Sequence, residues 1–383
     1  MLVNNILFCD EVFYLKNIPV LELKIVTIFP KDSEALFNRS SRRTFGGADV
    51  QMYLITKELK KIKEVSIYSF IVRYPTIDFK DSGEFNLIKT FNETDSLLKK
   101  FIIYHKKIKK IRPDIIIQRG LTLFSCLLAL YCRFAGIKFV FMFAHDIESL
   151  GRYQKDEKKC FLFPMLLKNA YRLIVQNEYE YSQIADKADA SKIKIIKKGL
   201  DLEKISHGLK KTFDAVWVGR CEPWKKPEAF IELAKMNPDC RFLMICSPVT
   251  AREEYYRTIR EAAADAGNIT FEGFVKNELI YKLLSQSRVF CITSEMEGDW
   301  PMTVLEAAAT GLPILSLHLN YGEMLTSYKA GCLSNDIQTL SRNFRHLIKN
   351  KKVWEEQSRN ARNYIEKNHQ LNLNMQHLYK SIS

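Results

Sequence analysis

The chain has 383 residues, of which 47% are hydrophobic and 27% charged, a composition typical of a globular protein with two domains. Its most apolar helical stretch, residues 121–131, is about half the length that spans a bilayer, which argues against an integral membrane protein. The nine cysteines are odd in number and include no Cys-x-x-Cys pair, so we expect reduced thiols in a cytoplasmic protein rather than a disulfide framework or a zinc site.

The net charge of +14 is concentrated in residues 1–205, which contain 35 Lys and Arg against 24 Asp and Glu. A basic surface of this kind attracts anionic lipids, anionic glycans or nucleic acid. No helix-turn-helix, RNA-binding or zinc-finger pattern accompanies the charge, so we expect no nucleic acid partner. The remaining expectation is an anionic or lipid-linked partner, with peripheral contact to an anionic membrane.

Strands and helices alternate along the first half of the chain, which favours a parallel sheet. A buried strand is predicted at residues 23–30, and the short apolar segment at residues 6–8 also has strand character. Gly46 and Gly47 open a helix, and residues 65–72 form the next strand. A Gly-Gly pair between a strand and a helix lets a ligand approach the backbone closely, although a merely flexible turn has the same sequence.

A basic helix is predicted over residues 95–110. Its apolar side chains recur at helical spacing and are Leu97, Leu98, Phe101, Ile102 and Ile108. Its six lysines are Lys99, Lys100, Lys106, Lys107, Lys109 and Lys110. Either the apolar stripe packs on the sheet with the lysines in solvent, or the helix lies on an anionic membrane.

A histidine follows the most hydrophobic strand of the first half. This strand is predicted at residues 137–143, and Ala144, His145 and Asp146 come directly after it. Ligands of open parallel sheets bind at the carboxyl ends of strands. A histidine there can donate or accept a hydrogen bond or move a proton; the alternative is a structural histidine that caps the next segment.

The second half opens with a strand at residues 213–220 that ends in Gly219 and Arg220, and Lys225 and Lys226 follow in the next loop. Fixed cations at a strand end suit the phosphates of a nucleotide. When a diphosphate leaves, its negative charge grows, so a guanidinium and an ammonium stabilise the transition state more than the ground state. The alternative is a pair of surface cations on a loop.

A second anion site is predicted where a strand at residues 289–293 runs into an acidic loop. The loop contains Glu297-Gly298, and a helix starts at Pro301-Met302-Thr303. The first turn of a helix presents unpaired N–H groups and partial positive charge, and therefore binds anions.

Two carboxylates, Glu297 and Glu306, flank this predicted anion site. Carboxylates repel phosphate but accept hydrogen bonds from hydroxyl groups. A phosphate with a sugar on either side satisfies both requirements, so the residues favour a nucleotide-sugar as the ligand.

Residues 294–313 resemble the signature of glycosyltransferase family 4, whose members have the GT-B fold: Glu-Gly-(aromatic)-Pro, a Leu-Glu-Ala helix and then Gly-x-Pro. Gly46-Gly47-Ala48-Asp49 is similar to the Gly-Gly-Ala-Glu of many members. The resemblance implies catalytic roles for His145, Arg220, Lys225 and Glu297. It implies donor-binding roles for Gly46, Gly47, Gly219, Lys226, Val275, Gly298, Pro301, Met302, Thr303 and Glu306.

By this resemblance Glu297 approaches the donor sugar and Glu306 binds the ribose hydroxyls. Arg220 and Lys225 hold the donor diphosphate, and His145 faces the reacting sugar. Lys226 lies in the slot next to Lys225, and Val275 contacts the edge of the base.

The sequence departs from the family pattern at two places. Eight residues separate Glu297 from Glu306 where the family has seven, and the extra residue lies in Asp299-Trp300. Asp299 is therefore a candidate substitute for Glu297. In the tetrad Lys198-Gly199-Leu200-Asp201, which is like the Asn-Gly-Val-Asp at the end of the family's first domain, Lys198 replaces Asn.

The implied architecture is α/β with the GT-B fold, in which two Rossmann-like β/α/β domains face each other across a cleft. We expect an acceptor-side domain at residues 1–205 and a nucleotide-sugar-binding domain at residues 206–365. The C-terminal helix, within residues 366–383, is expected to cross back to the first domain.

The implied activity is that of a retaining glycosyltransferase, here a hexosyltransferase, which moves a sugar from a nucleotide-sugar to a glycan or lipid-linked acceptor in the synthesis of cell-envelope polysaccharide. No Asp-x-Asp motif occurs, so we expect no metal and no cofactor beyond the donor substrate. Arg220, Lys225 and the helix start would supply the positive charge instead. The expected location is the cytoplasm, on the inner face of the cell membrane.

Two other interpretations remain open. A glycosidase would use Glu297 and Glu306 as acid and nucleophile, although the neighbouring phosphate-binding cations argue against it. A protein that only binds sugar nucleotides or anionic glycans would have the same site and would never turn over the donor.

Overall fold

The computed structural model describes residues 22–38, 46–73, 85–153, 157–205, 209–249 and 252–383. The predicted strand at residues 6–8 lies outside these ranges. The described chain forms two parallel β-sheets with helices between the strands, which confirms the predicted α/β architecture of two Rossmann-like domains.

The first sheet contains seven strands. They are β1 (Leu23–Ile28), β2 (Val65–Ile71), β3 (Leu87–Lys89), β4 (Ile115–Arg119), β5 (Lys138–Met142), β6 (Arg172–Val175) and β7 (Ile193–Ile195). Their order is β3-β2-β1-β4-β5-β6-β7, and all pairs are parallel. Ile115, Ile116 and Ile117 of the central strand are fully buried, as expected for a sheet that is covered on both faces.

In the described part of the first domain, seven helices accompany the sheet. They are α1 (Glu34–Phe37), α2 (Gly47–Leu59), α3 (Leu97–Ile111), α4 (Leu123–Ala135), α5 (Asp146–Ser149), α6 (Phe163–Asn169) and α7 (Glu178–Ile184). The buried side chains of α2 pack with one face of the sheet, and those of α3, α4, α6 and α7 pack with the other.

The second sheet has six parallel strands and five helices. The strands are β8 (Phe213–Arg220), β9 (Phe242–Ser247), β10 (Ile269–Glu272), β11 (Ser287–Ile292), β12 (Ile314–Ser316) and β13 (Gly331–Leu333), in the order β10-β9-β8-β11-β12-β13. The helices are α8 (Pro227–Lys235), α9 (Glu253–Asp265), α10 (Asn277–Ser285), α11 (Met302–Ala309) and α12 (Ile337–Lys349).

The C-terminal segment connects the two sheets. It consists of α13 (Lys351–Asn368) and α14 (Leu371–Ile382). The backbone of Leu200 pairs with the junction between these helices: its N–H donates to the carbonyl of His369 at 2.8 Å, and its carbonyl accepts from Leu371 at 3.1 Å. Met375 and Leu378 of α14 are buried in the same apolar cluster as α2, so the chain ends on the first domain.

Each sheet has one point at which the strand order changes direction. These points lie between β1 and β4 in the first sheet and between β8 and β11 in the second. Ligands of doubly wound sheets bind just beyond the carboxyl ends of the strands at such a point. The loops that follow these four strands, and the loop that follows β5, the neighbour of β4, are therefore the expected positions of a ligand.

Helix α3 only partly follows the expectation that its apolar stripe packs on the sheet. Ile108 is buried, but Leu98 and Ile102 are 70% and 45% exposed, so the expectation is wrong for these two side chains. Tyr104 takes their place in the core, where its ring lies 5.1 Å from that of Phe70 in an edge-to-face arrangement.

No helix in the described part of the chain is both long enough and apolar enough to cross a membrane.

Candidate active site

The loops at the carboxyl ends of the two sheets meet at Gly298. A Cβ atom built on Gly298, which lies in the loop after β11, would come 2.8 Å from the Cα and Cγ atoms of His145 and 2.9 Å from the amide nitrogen of Asp146. His145 lies in the loop after β5. The two predicted site regions are therefore in direct contact across the domain interface, and glycine is the residue that allows this approach.

Lys225 and Glu297 form an ion pair just beyond the carboxyl ends of the central strands of the second sheet. The Lys225 Nζ atom lies 2.5 Å from Glu297 Oε1, and the Ser294 hydroxyl donates to the same oxygen at 2.8 Å. Both charged side chains are only about one-tenth exposed. The Lys225 ammonium also lies 4.4 Å from the centre of the Trp224 ring, a distance at which cation–π attraction holds it in place.

Asp299, the candidate substitute for Glu297, lies elsewhere. Its carboxylate is 3.4 Å from the ammonium of Lys198, and it is 9% exposed. The structure thus places Glu297 beside Lys225 and Asp299 beside Lys198, at the junction with the first domain.

Helix α11 begins at the domain interface. Pro301 is its N-cap residue, and Met302 is its first helical residue. Within the described ranges, no acceptor bonds to the N–H groups of Met302 and Thr303, which are free to bind an anion. A Cβ atom on Gly47 would lie 3.5 Å from the Met302 side chain, so the first turns of α2 and α11 face each other.

Arg220 ends β8 at the same edge of the second sheet. It is partly exposed, and no carboxylate in the described residues pairs with it. The preceding Gly219 is required by close packing: a Cβ atom there would lie 2.8 Å from the Trp217 ring and 3.2 Å from Lys225 Cδ. The arrangement leaves one unpaired guanidinium beside the Lys225 loop.

Lys226 differs from Lys225 in its surroundings. Its backbone is left-handed, with φ of 48°, and its ammonium lies 3.0 Å from a carboxylate oxygen of Glu295. Both side chains are nearly half exposed, so the pair is solvated. The two consecutive lysines therefore point to different carboxylates.

Glu306 lies inside the second domain, on α11. It is 4% exposed, and burial raises its pKa to about 8, although a hydrogen bond from the Tyr281 hydroxyl opposes the shift. The carboxyl group is therefore mainly protonated at neutral pH. Val275, predicted at the base edge, is partly buried and packs on the same apolar cluster as Tyr281.

His145 both caps a helix and faces the interface. Its Nδ1 atom accepts a hydrogen bond of 3.3 Å from the N–H of Ile147 and so caps α5, which leaves the proton of the neutral ring on Nε2. Burial lowers the pKa of His145, the charge of Lys198 lowers it further, and Glu297 acts in the opposite direction. The ring is thus neutral at pH 7 and has an N–H to donate.

A buried polar network lies beneath His145, and sequence reasoning did not find it. The Arg119 guanidinium donates to the side-chain oxygen Oε1 of Gln176 at 2.7 Å. The side-chain amide nitrogen of Gln176 donates to the Glu180 carboxylate at 2.8 Å. The Glu148 carboxylate accepts from the Ala144 N–H at 2.9 Å. The bond from Arg119 to Gln176 joins residues 57 positions apart, so no local pattern could have indicated that the arginine lies here.

Burial raises the pKa values of the acids of this region toward neutrality or above it. Burial raises the pKa of Glu148 to about 7. It raises the pKa of Asp146 to about 8, and the neighbouring Glu180 adds to that shift. The first-domain side of the site therefore carries less negative charge than it would have if all of its acids were ionised.

Tyr321 binds the backbone of the acidic loop. Its hydroxyl contacts both the backbone N–H of Glu297, at 3.0 Å, and the backbone carbonyl of Glu297. Its own carbonyl accepts from the indole N–H of Trp300 at 2.6 Å. Tyr321 lies 24 residues after Glu297, so no local pattern of the sequence indicates that it binds the loop.

The space between these groups is small in this structure. A narrow space beside the ion pair, with room for about one water molecule, is lined by residues that include Lys225, Glu297, Pro301 and Thr303. Within the described ranges, no group of three or more His, Cys, Asp and Glu side chains is arranged to hold a metal ion.

The second domain matches a known family. Residues 201–365 fit the family described as glycosyl transferases group 1. The match includes the loop that contains Lys225 and Lys226, the acidic loop that contains Glu297, and helix α11.

Two curated proteins are related to this chain at about one-quarter sequence identity. The UDP-Gal:alpha-D-GlcNAc-diphosphoundecaprenol alpha-1,3-galactosyltransferase of Escherichia coli is 26% identical over 293 residues, which are 70% of this chain and 74% of that enzyme. The D-inositol 3-phosphate glycosyltransferase of Mycobacteroides abscessus is 25% identical over 167 residues, which are 39% of this chain and 38% of that enzyme.

Solved structures share the whole fold. Sucrose-phosphate synthase from Thermosynechococcus elongatus has a TM-score of 0.76 at 16% identity, over 94% of this chain and 98% of its own. Anabaena HepE in complex with UDP-glucose has a TM-score of 0.73 at 15% identity, over 94% of this chain and 99% of its own. These likenesses confirm the predicted GT-B fold.

Proposed function

From a GT-B chain whose residues 201–365 belong to the glycosyl transferases group 1 family, we infer that this protein moves a sugar from a nucleoside-diphosphate sugar to a glycan or lipid-linked acceptor. We place it, within that family, among the retaining enzymes of family 4. The single observation that carries the proposal is the set of positive groups at the edge of the second sheet, namely Arg220, Lys225 and the free N–H groups of α11.

These positive groups suit a departing diphosphate. When the bond between the sugar and the phosphate breaks, charge develops on the leaving oxygen, and preorganised donors stabilise that charge without reorganising. Arg220 has no carboxylate partner in the described residues and can bind the diphosphate directly. No metal is needed for this step, because the chain supplies the charge itself.

The remaining groups have roles on either side of the diphosphate. Glu306 would accept hydrogen bonds from the ribose hydroxyls, and Glu297 would approach the hydroxyls of the donor sugar. The neutral ring of His145 would donate its Nε2 proton to the same sugar from the first domain.

We propose that transfer proceeds with retention of the anomeric configuration. The bond from the anomeric carbon to the phosphate oxygen breaks, and a bond to the acceptor hydroxyl oxygen forms on the same face. The hydroxyl proton passes to the leaving phosphate, so atoms and charge balance. The sugar has oxocarbenium character in the transition state, and no covalent bond to the enzyme forms.

Donor binding requires rearrangement of the interface. Lys225 and Glu297 are in direct contact, and the space that they line has room for about one water molecule, so a phosphate cannot lie between them as they stand. We infer that the Lys225–Glu297 pair separates when the donor binds: Lys225 turns to the diphosphate, and Glu297 turns to the sugar.

The choice of substrates rests on the relatives. UDP-glucose is bound by HepE, and the E. coli relative is named for transfer from UDP-Gal to a diphosphoundecaprenol-linked GlcNAc. We therefore propose a UDP-hexose donor and a lipid-linked acceptor, and a role in the synthesis of cell-envelope polysaccharide on the cytoplasmic side of the membrane. The basic charge of residues 1–205 suits such an acceptor.

The membrane-facing element would be α3. Leu98 and Ile102 are exposed on it, and Lys106 and Lys109 follow on the same helical face. Apolar side chains that enter the headgroup region, together with lysines that attract anionic lipid, are the features of a peripheral membrane helix.

The proposal is tested by incubating the protein with UDP-, GDP- and ADP-hexoses, with and without membrane lipid extract, and measuring the nucleoside diphosphate released. We expect release that depends on the acceptor and is lost in Arg220→Ala. Cleavage of an aryl glycoside without nucleotide would indicate the glycosidase instead. Donor binding without any release, in the presence of every acceptor fraction, would indicate a binding protein.

A further inference from the structure

Lys198 crosses from the first domain to the acidic loop of the second. It follows β7, and its side chain is 10% exposed. Its ammonium donates to the backbone carbonyl of Trp300 at 2.8 Å and lies 3.4 Å from the Asp299 carboxylate. One cation of the first domain thus binds two consecutive residues of the loop that contains Glu297.

The backbone of Lys198 is itself fixed. Its carbonyl accepts from the His369 ring at 2.8 Å and from the Asn374 side chain at 3.3 Å. The next residue, Gly199, exchanges two hydrogen bonds with the Gln51 side chain of α2, at 3.0 and 3.1 Å. The ammonium therefore projects from a rigid base, which favours a positioning role.

Asp299 needs a cation in this place. Its carboxylate lies near the first-domain acids Asp146 and Glu180, and its charge raises the pKa of both. A carboxylate that is removed from water is unfavourable in its ionised form unless a positive group offsets it. Lys198 is the residue that forms an ion pair with it.

The contacts of Lys198 continue to Glu297. The Trp300 indole is 1% exposed and donates to the Tyr321 carbonyl, and the two rings pack edge to face at 5.5 Å. The Tyr321 hydroxyl in turn contacts the backbone of Glu297. A displacement of Trp300 would therefore be transmitted to Glu297 through one buried aromatic contact.

We propose that Lys198 is a positioning residue: bound to Asp299 and the Trp300 carbonyl, it holds the enlarged acidic loop so that Glu297 faces the reacting sugar. The two departures from the family sequence pattern, the lysine at 198 and the extra residue at 299–300, are thus in contact with each other. This inference rests on the proposed sugar transfer, because its catalytic consequence is measured there.

The proposal predicts a separation of kcat from donor binding. Arg220, Lys225 and Glu306 remain in place in Lys198→Met, so the donor KM stays within about threefold. Misplacement of Glu297 by about 1 Å lowers kcat by about 100-fold. Because Asp299 is then an unpaired buried carboxylate, adding Asp299→Asn to Lys198→Met restores about tenfold of the lost kcat.

The matched control is Lys197→Met. It removes the same charge from the same segment, but the Lys197 ammonium donates to Asn368 rather than to the loop. If Lys198→Met does not fold, Lys198→Gln keeps a donor for the Trp300 carbonyl and removes only the charge. Folding of each variant is checked by its melting temperature.

Hydrogen–deuterium exchange of the full chain tests the contact without reference to activity. We expect faster exchange of the amides of residues 297–300 in the Lys198 variant than in Lys197→Met. Unchanged exchange overturns the proposal even if transfer is never detected, so it is separate from failure of the proposed function. Faster exchange with an unchanged kcat also overturns it, because the loop would then not need to be held for catalysis.

Discussion

Gly298 of the second domain lies directly against His145 of the first, with only 2.8 Å between the His145 Cα and the position that a Cβ atom on residue 298 would occupy. Two loops from separate sheets therefore meet with no side chain between them. Their contact sets how closely the sugar-binding groups of the two domains approach.

The first prediction concerns this contact. In Gly298→Ala the new methyl group meets backbone and ring atoms of His145, which cannot move aside as a flexible side chain would, so the two loops must separate. We expect kcat to fall by about 100-fold with little change in melting temperature. The control is Gly273→Ala, whose methyl group meets only the end of the Tyr256 side chain. Wild-type kcat in Gly298→Ala would show that the close approach is not needed for transfer.

The second prediction concerns Lys225. Lys225→Met removes a cation that, in our proposal, turns to the leaving diphosphate. We expect UDP to bind more weakly, by calorimetry, and kcat to fall by about 100- to 1,000-fold, the usual loss when one transition-state donor is removed. Lys235→Met, at the exposed end of α8, removes the same charge and should change neither quantity.

The third prediction is that Glu297→Gln strengthens UDP binding, whereas Lys225→Met weakens it. Glu297→Gln abolishes the ion pair at 2.5 Å and leaves the Lys225 ammonium free for phosphate. Separation of the pair no longer opposes donor binding, so UDP should bind more tightly than to the wild type, while sugar transfer falls. Calorimetry with UDP and a transfer assay on the same preparation measure the two effects. Weaker UDP binding in this variant would contradict the proposed exchange of partners.

The fourth prediction is a pH dependence of stability at Glu306. Burial raises its pKa from 4.5 to about 8, so between these values the folded protein keeps a proton that the unfolded chain has lost. The contribution of Glu306 to the free energy of unfolding is then greatest below pH 4.5 and falls by about 1.4 kcal/mol per pH unit as the pH rises toward 8.

Glu306→Gln removes this titration. The variant should therefore melt at a temperature close to that of the wild type near pH 5 and increasingly above it up to pH 8. Glu356→Gln, at an exposed position of α13, should show no such trend. Parallel melting curves of wild type and Glu306→Gln across this range would refute the prediction.

The sequence predicted the two sheets and the strand ends at which Arg220 and Glu297 lie, because hydrophobic runs and turn residues mark where parallel strands stop. It did not predict that Tyr321 would bind the backbone of Glu297 or that Lys198 would reach Trp300. The first contact depends on how two loops of the second domain pack, and the second on how the two domains meet, so neither follows from a local period. The burial of Tyr104 instead of Leu98 in α3 has the same origin: the pattern indicates an apolar face, but the neighbouring aromatic rings decide which side chains the core admits.

The last prediction concerns α3 and the membrane. Leu98 and Ile102 expose apolar surface beside Lys106 and Lys109, so the double change Leu98→Glu and Ile102→Glu should weaken binding to vesicles with about one-third phosphatidylglycerol by at least about tenfold, through lost burial and added repulsion. Cosedimentation measures the binding, which should also decrease at high salt. Leu279→Glu, at a leucine of the second domain that is 51% exposed, is the control. Transfer to a short, water-soluble acceptor should be unaffected, because α3 lies outside the catalytic groups. Equal vesicle binding by the variant and the wild type would place the membrane contact on another surface.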